Sequence, residues 1–302
     1  MFTLAASLYT RAISRVRNRV LHEGVCLKKI SRSSKTKGAF PRPFFGYYGG
    51  KWRDALKHYP APRFNTIIEP FAGSAGYALR YYYAKRVFLF EKDPVVAGVW
   101  DYLINKATTD DILTLPDVPL KGSVEGLKVC AEAKALIGFW LNRGVSMPRK
   151  KPSRWMRDKI RPGSFWGERV RNTIASQLHM ISHWKIYNCD YTEAPEILAK
   201  ELPEEDEFTW FIDPPYQKAG HHYRYGANGI QYAELAKWCR SRPGQVIVCE
   251  NKGAKWLPFK SFADVKTTRK KRSKETWWSN EKKPKKRFGQ PTSPQTQLTM
   301  SI

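Results

Sequence analysis

The sequence predicts an α/β fold, with a mostly parallel, Rossmann-like sheet interrupted by an insert, and three observations carry that expectation. Short apolar runs alternate with helix-like stretches at the spacing of strand–helix–strand units. Several of those runs end on an acid or a glycine-rich turn, as strand tips facing a cleft do. Near the middle the alternation stops, and the chain turns basic and rich in tryptophan.

Taken in order, residues 1–40 form a basic, serine-rich arm expected to be poorly ordered. Its first 22 residues contain no acid and carry Arg11, Arg15, Arg17 and Arg19. That pattern fits a transit peptide, an arm lying on nucleic-acid backbone, or an extension upstream of the true start. Organised structure is expected from "FFGYYGGKW" onward. "NTIIEP" reads as a strand, "GSAGYALRYYYA" as a helix after a Gly-rich turn, "RVFLFEKD" as a second strand and "PVVAGVWDYLIN" as a helix. Residues 107–180 read as an inserted subdomain rather than a linker, because their tryptophans need burial or a partner. Alternation resumes with "WKIYNCD", "TWFIDPP", the helix "QYAELAKWCRS" and the strand "QVIVCEN". "KETWW" reads as a last strand, and residues 281–302 as a disordered basic tail. The main domain thus comprises 41–106 and 181–280.

Of 302 residues, 53 are Lys or Arg and 27 Asp or Glu, a formal charge of +26. Such a surplus favours polyanions, with nucleic acid first and anionic membrane surfaces second. The five cysteines are scattered without a CxxC pair, which argues against zinc ribbons and disulfide frameworks and suits a reducing cytoplasm. No apolar run approaches the roughly 20 residues of a membrane-spanning helix. His221 and His222 lack a third ligand nearby in sequence, so no metal is expected.

Three motifs carry chemistry. "EPFAGSAG", from Glu69 to Gly76, places glycines at a strand tip where backbone can approach a ligand. It has no GK[ST], and Glu69 would repel phosphate, so a cationic ligand such as an ammonium or sulfonium fits better. Glu91 ends the next strand, where Rossmann-like folds hold a ribose, with Asp93 as the competing ligand. "IDPPY" then sets Asp213 at a third tip, beside Pro214 and Pro215, which fix the backbone and leave the Pro214 carbonyl as a further acceptor. Two acceptors beside the aromatic plate of Tyr216 suit a planar group bearing an NH₂.

At these residues the chain resembles the Dam-type, alpha-group DNA adenine methyltransferases, over roughly residues 44–280 and in family order. "YYGGK" resembles their N-terminal cofactor motif, placing Tyr47 and Lys51 there. "EPFAGSAG" resembles the methionine-binding loop, with Glu69, Phe71, Gly73 and Gly76. "LFEKDP" supplies the ribose acid at Glu91, "NCDY" the adenine-holding pair Asp190 and Tyr191, and "DPPY" the catalytic tetrapeptide. "KETWWSN" stands where the family has its closing strand, antiparallel to the others. The resemblance implies S-adenosylmethionine as cofactor, double-stranded DNA as partner, no metal and no membrane. It implies a monomer in the cytoplasm of a bacterium or phage-infected host, with 107–180 as target-recognition subdomain. Its FNG-type stretch is missing: "FWLNRG" runs into "VSMPRKKPSRW" instead, so the family's GATC is not carried over as the recognition sequence.

The expected reaction is direct displacement at an adenine amino nitrogen, flipped out of the duplex and stacked on Tyr216. Asp213 and the Pro214 carbonyl would accept its hydrogens, aim its lone pair and stabilise developing charge. No Pro-Cys nucleophile for cytosine carbon is present. "QKAGHHYRYGANG" is placed to close on the base, with His222 as a contact. Arg149, Lys150, Lys151, Arg154 and Arg157 are expected to meet phosphates and guanine edges, against a solvated basic face as the alternative. Methylation of cytosine N4 or of RNA adenine uses the same cleft, and a catalytically silent DNA-binding protein is the reading from another class.

Overall fold

Five of the apolar runs become parallel strands, and all but the outermost bury side chains on both faces. In the computed structural model, which describes residues 40–142, 144–159, 163–203, 207–218, 220–266 and 272–281, these strands are β1 (Thr66–Glu69), β2 (Arg86–Phe90), β3 (Lys185–Tyr187), β4 (Thr209–Ile212) and β5 (Gln245–Asn251). β6 (Lys260–Lys266) and β7 (Arg272–Ser279) follow. The sheet runs β3-β2-β1-β4-β5-β7-β6, parallel through β5. β7 inserts antiparallel between β5 and β6. The arm at 1–40, apart from Phe40, and the tail at 281–302, apart from Glu281, lie outside the described residues.

Successive residues of each inner strand enter opposite cores. Ile67, Leu89, Phe211 and Ile247 face one cluster, and Ile68, Phe90, Trp210 and Val248 the other. Fully burying such a side chain contributes about 1.5–3 kcal/mol. With both faces apolar, alternation alone sets register weakly. Polar pins at one end of the sheet set it instead. Thr209 Oγ1 donates to Gln245 Oε1 (2.9 Å), which also accepts from the Arg63 amide (2.8 Å). Asn280 bridges Val246 N and Gly244 O, both at 2.9 Å.

The segment 107–180 joins the first core directly, since Ile112, Leu136, Phe139 and Ile174 pack in one cluster with Val96 and Trp100. Its helices are Thr109–Thr114, Ala131–Trp140, Arg154–Arg157 and Glu168–Gln177. Trp140 and Trp166 donate their indole N–H groups to Phe44 O (2.8 Å) and Pro116 O (2.9 Å). The second core is closed by helices Ala194–Glu201 and Tyr232–Arg240.

Two expected helices differ. "GSAGYALRYYYA" forms only a short 3₁₀ turn, Ala78–Tyr81. Tertiary contacts override its helical pattern: Tyr77 stacks on Phe211 (4.1 Å between centroids, 9°) and donates to Pro60 O (2.8 Å). "PVVAGVWDYLIN" is α-helical over Pro94–Asp101, then widens to a π-turn over Tyr102–Lys106. Gly76 has a reason other than ligand approach. A Cβ there would lie 2.6 Å from Trp52 N and 2.8 Å from Lys51 N, so the glycine admits the backbone of the "YYGGK" loop. Gly76→Ala should therefore destabilise the chain by about 1–3 kcal/mol, read from denaturant unfolding. An unchanged midpoint would show that the two loops part without cost.

Candidate active site

The carboxyl ends of β1, β2 and β4 meet where the chain reverses its direction of winding across the sheet, the usual place for a ligand in an open α/β fold. A pocket of about 960 Å³, part of it open to solvent, lies there. Tyr47, Lys51, Glu69, Phe71, Gly73, Gly76, Glu91, Asp190, Tyr191, Asp213 and Pro215 all line it. Residues from five separated stretches of sequence thus converge on one cavity.

At its floor Lys51 Nζ lies 2.8 Å from Asp213 Oδ2 and donates to Gly49 O at 2.7 Å. Lys51 is 5% exposed. Burial pushes the Asp213 carboxyl up to about 6, against the pull of the Lys51 charge and hydrogen bond. Burial disfavours the Lys51 ammonium, but Asp213 and Glu275 outweigh it and hold its pKa above the usual value. Glu69 is also buried, accepts from Ala78 N at 2.6 Å, and is pushed up to about 8 by desolvation.

Glu91 accepts from Gly73 N through Oε2 and from Asp93 N through Oε1, both at 2.9 Å. Burial raises it to about 7, although these backbone N–H groups favour the charged form. Each oxygen keeps lone-pair capacity for a hydroxyl. Asp93 also lines the pocket, yet its carboxylate caps the following helix at Val95 N (2.9 Å) and faces Arg224 (3.4 Å). Phe71 and Tyr191 stack on one another, with centroids 5.0 Å apart and planes at 29°. Asp190 beside them is held charged by Lys92 (2.9 Å) and by Thr192, which together outweigh its desolvation.

Other expected residues sit elsewhere. Pro214 is buried and does not line the pocket. Pro215 accepts the Tyr232 hydroxyl at 2.6 Å, which pins the chain after the tip. Tyr216 lies behind the pocket lining, with the Lys51 ammonium 5.0 Å from its ring centroid. Its hydroxyl donates to Glu275 Oε2 at 2.6 Å. His222 is exposed at the rim, its ring 4.6 Å from that of Tyr48. Arg149, Lys150, Lys151, Arg154 and Arg157 are exposed and outside the pocket, with Lys150 paired to Glu125 and Arg154 to Asp158. Among the described residues, no group of three or more His, Cys, Asp or Glu could hold a metal ion, and no helix is long and apolar enough to cross a membrane.

Several participants escaped sequence reading. Glu275 reaches the site from β7, and Glu250, fully buried on β5, accepts from Gln217 N at 2.9 Å and so fixes the residue after Tyr216. Tyr223, Arg224 and Tyr225 fold over the pocket mouth, and Tyr223 donates to Tyr48 O at 3.2 Å. Their only signal was membership of the loop after "DPPY".

No family model matches the chain, and no curated protein matches it in sequence. Among solved structures it is similar to the rRNA methyltransferase aviRa from Streptomyces viridochromogenes, at 15% identity and a TM-score of 0.36, over 75% of this chain and 80% of that one.

Removing one partner of the buried ion pair leaves an uncompensated charge. Lys51→Met should cost about 3–5 kcal/mol at neutral pH. The Asp213 carboxyl is already raised in the fold, and losing Lys51 raises it further. Its penalty is therefore absent below the unfolded value and grows as pH rises through the folded one. Urea unfolding should show a larger deficit at pH 8 than at pH 5. Equal deficits would mean that the pair is not ionic.

Proposed function

We propose that this chain is an S-adenosylmethionine-dependent methyltransferase acting on the exocyclic amino nitrogen of adenine in DNA. The observation that carries the reading is the placement of Asp213. An acid at the tip of β4 opens into the same pocket as Glu91, Asp190 and the Phe71–Tyr191 plate. One end of that pocket suits an adenosine, and the other presents acceptors to an amine.

The pocket residues fit the cofactor on three counts. Glu91 has acceptor capacity left for ribose hydroxyls. Phe71 and Tyr191 offer an apolar face to a purine. Glu69 presents a carboxyl where an ammonium or sulfonium would lie, and a bound cation would ionise it. The bound cofactor supplies a methyl group on a positively charged sulfur, open to in-line attack.

The chain's own residues do the rest. The Asp213 carboxylate accepts a hydrogen from the target amine. That draws the nitrogen lone pair out of conjugation and offsets the positive charge that develops on nitrogen. Lys51 keeps Asp213 ionised and in place. With the amine held there, the cofactor would supply the methyl group, and the proton shed by the nitrogen would pass to solvent. Tyr216, tethered to Glu275, forms the backing of this acceptor site. A duplex target must leave its stack to reach so recessed a carboxylate.

The deciding experiment incubates the protein with labelled cofactor and either unmethylated DNA or RNA of the same sequence, then maps modified bases at single-base resolution. Label on adenine N6 supports the proposal; label only on cytosine N4 or only in RNA transfers it to the corresponding reaction. No transfer to any of these, with cofactor bound, would leave the silent binding protein.

Asp213→Ala should retain cofactor binding by calorimetry while transfer falls about 100-fold or more. Parallel losses of binding and turnover would contradict its place beside the amine. A charged Glu91 is the stronger acceptor, so wild-type cofactor affinity should fall as pH drops through about 7. Glu91→Gln should weaken binding by about 1–3 kcal/mol and abolish that step. Glu69 keeps its separate step near 8. If Asp93→Asn removes the step near 7 and Glu91→Gln does not, Asp93 is the ribose ligand.

A further inference from the structure

Trp155 is 56% exposed, more than any other large apolar side chain among the described residues. Loose chain does not explain that exposure, because the segment bearing it is tied down throughout. Arg149 N donates to Gly138 O and Ser153 N to Leu141 O, both at 3.0 Å. Arg157 donates to Pro152 O at 2.6 Å, and Ser153 caps the turn at Met156 N. Even Gly138 serves this docking, since a Cβ there would lie 2.7 Å from Arg149 O.

The same segment begins at the pocket rim. Tyr48 N donates to Val145 O (3.0 Å), and Ser146 Oγ donates to His222 O. From there the surface carries Met147, Arg149, Lys151, Trp155 and Arg157, all exposed. Among the described residues, Arg149, Lys151 and Arg157 take part in no ion pair, whereas Lys150 and Arg154 do. Unneutralised cations interleaved with apolar and aromatic faces are the chemistry of single-stranded nucleic-acid grooves. Intact duplex offers phosphates to the cations but no base face to the indole, because its bases cover one another.

We propose that residues 145–157 form a binding track for unpaired nucleotides leaving the pocket, with one base stacked on Trp155. This rests on the reading of the chain as a nucleic-acid methyltransferase and adds that a locally opened strand is its preferred form of substrate. Cations along the track hold phosphates, and the indole takes a base without regard to its identity.

The test uses the full chain and fluorescence anisotropy with a labelled mixed-sequence 12-nucleotide strand, as DNA and as RNA, and with its blunt DNA duplex. Trp155→Ala should weaken single-strand binding about 5- to 150-fold, leave the slope of log K against log salt unchanged, and change duplex affinity less than twofold. Trp155→Phe should restore most of the loss. Lys151→Ala should instead reduce the single-strand slope by about 0.7. A DNA strand bound more tightly than the RNA strand, or the reverse, identifies which source supplies the track. Equal losses on strand and duplex would replace stacking by general docking, and no loss on either would remove Trp155 from the interface and leave it for a protein partner. Both outcomes overturn the proposal. Anisotropy requires no methyl transfer, so the track can stand where the enzymatic reading fails, and the enzymatic reading can stand where the track fails.

Discussion

Lys51 and Asp213 lie 162 positions apart in sequence and 2.8 Å apart in space, both largely removed from water. Taking two charges out of water costs several kcal/mol per ion, which only close geometry and further hydrogen bonds offset. The surrounding structure supplies both. Gly49 O takes a second ammonium hydrogen, and Gly76 lets the Lys51 backbone settle against the turn after β1. The Tyr216 ring lies 5.0 Å from the ammonium, and Glu275 holds Tyr216 in place. The pair therefore fixes the "YYGGK" loop, the glycine turn and the β4 tip relative to one another.

A second constraint is electrostatic. The chain carries +26 overall, yet its pocket gathers Glu69, Glu91, Asp93, Asp190 and Asp213. A basic exterior attracts polyanions, while an acidic interior admits cationic small molecules and repels phosphates. A cationic small molecule and a polyanion would thus be drawn to different places. Burial, with a smaller push from neighbouring acids, raises Glu69, Glu91 and Asp213 towards neutrality, so a bound cation would restore their charge.

Much of this was legible in the chain because its signals are local. An apolar run stopping on an acid marks a strand tip, and Glu69, Glu91 and Asp213 were found that way. All three line one pocket, as parallel strands with a shared carboxyl edge require. What stayed hidden depends on contacts between distant segments. Glu275 lies within "KETWW", and nothing nearby says that β7 will pair with β5 and deliver a carboxylate to Tyr216. The stretch after Gly76 has helical periodicity, but Tyr77 gains more by stacking on Phe211 than by continuing a helix. Tyr216 was read as a plate facing the ligand, whereas its hydroxyl faces Glu275. A tyrosine's two ends can serve different neighbours, and sequence does not say which end faces where.

The insertion of β7 between β5 and β6 also fixes the order in which this protein can be completed during synthesis. β6 leaves the ribosome before β7, yet its partner in the sheet is β7. It must wait for β7, whose two edges take β5 and β6. Until then the edge of β5 is open and Tyr216 lacks its acceptor, so the nascent chain has a pocket lining without its backing. Chains terminated before residue 275 would present an unpaired strand edge, the feature that drives strand-to-strand association. For this chain, finishing the candidate site and covering the open strand edge are the same event.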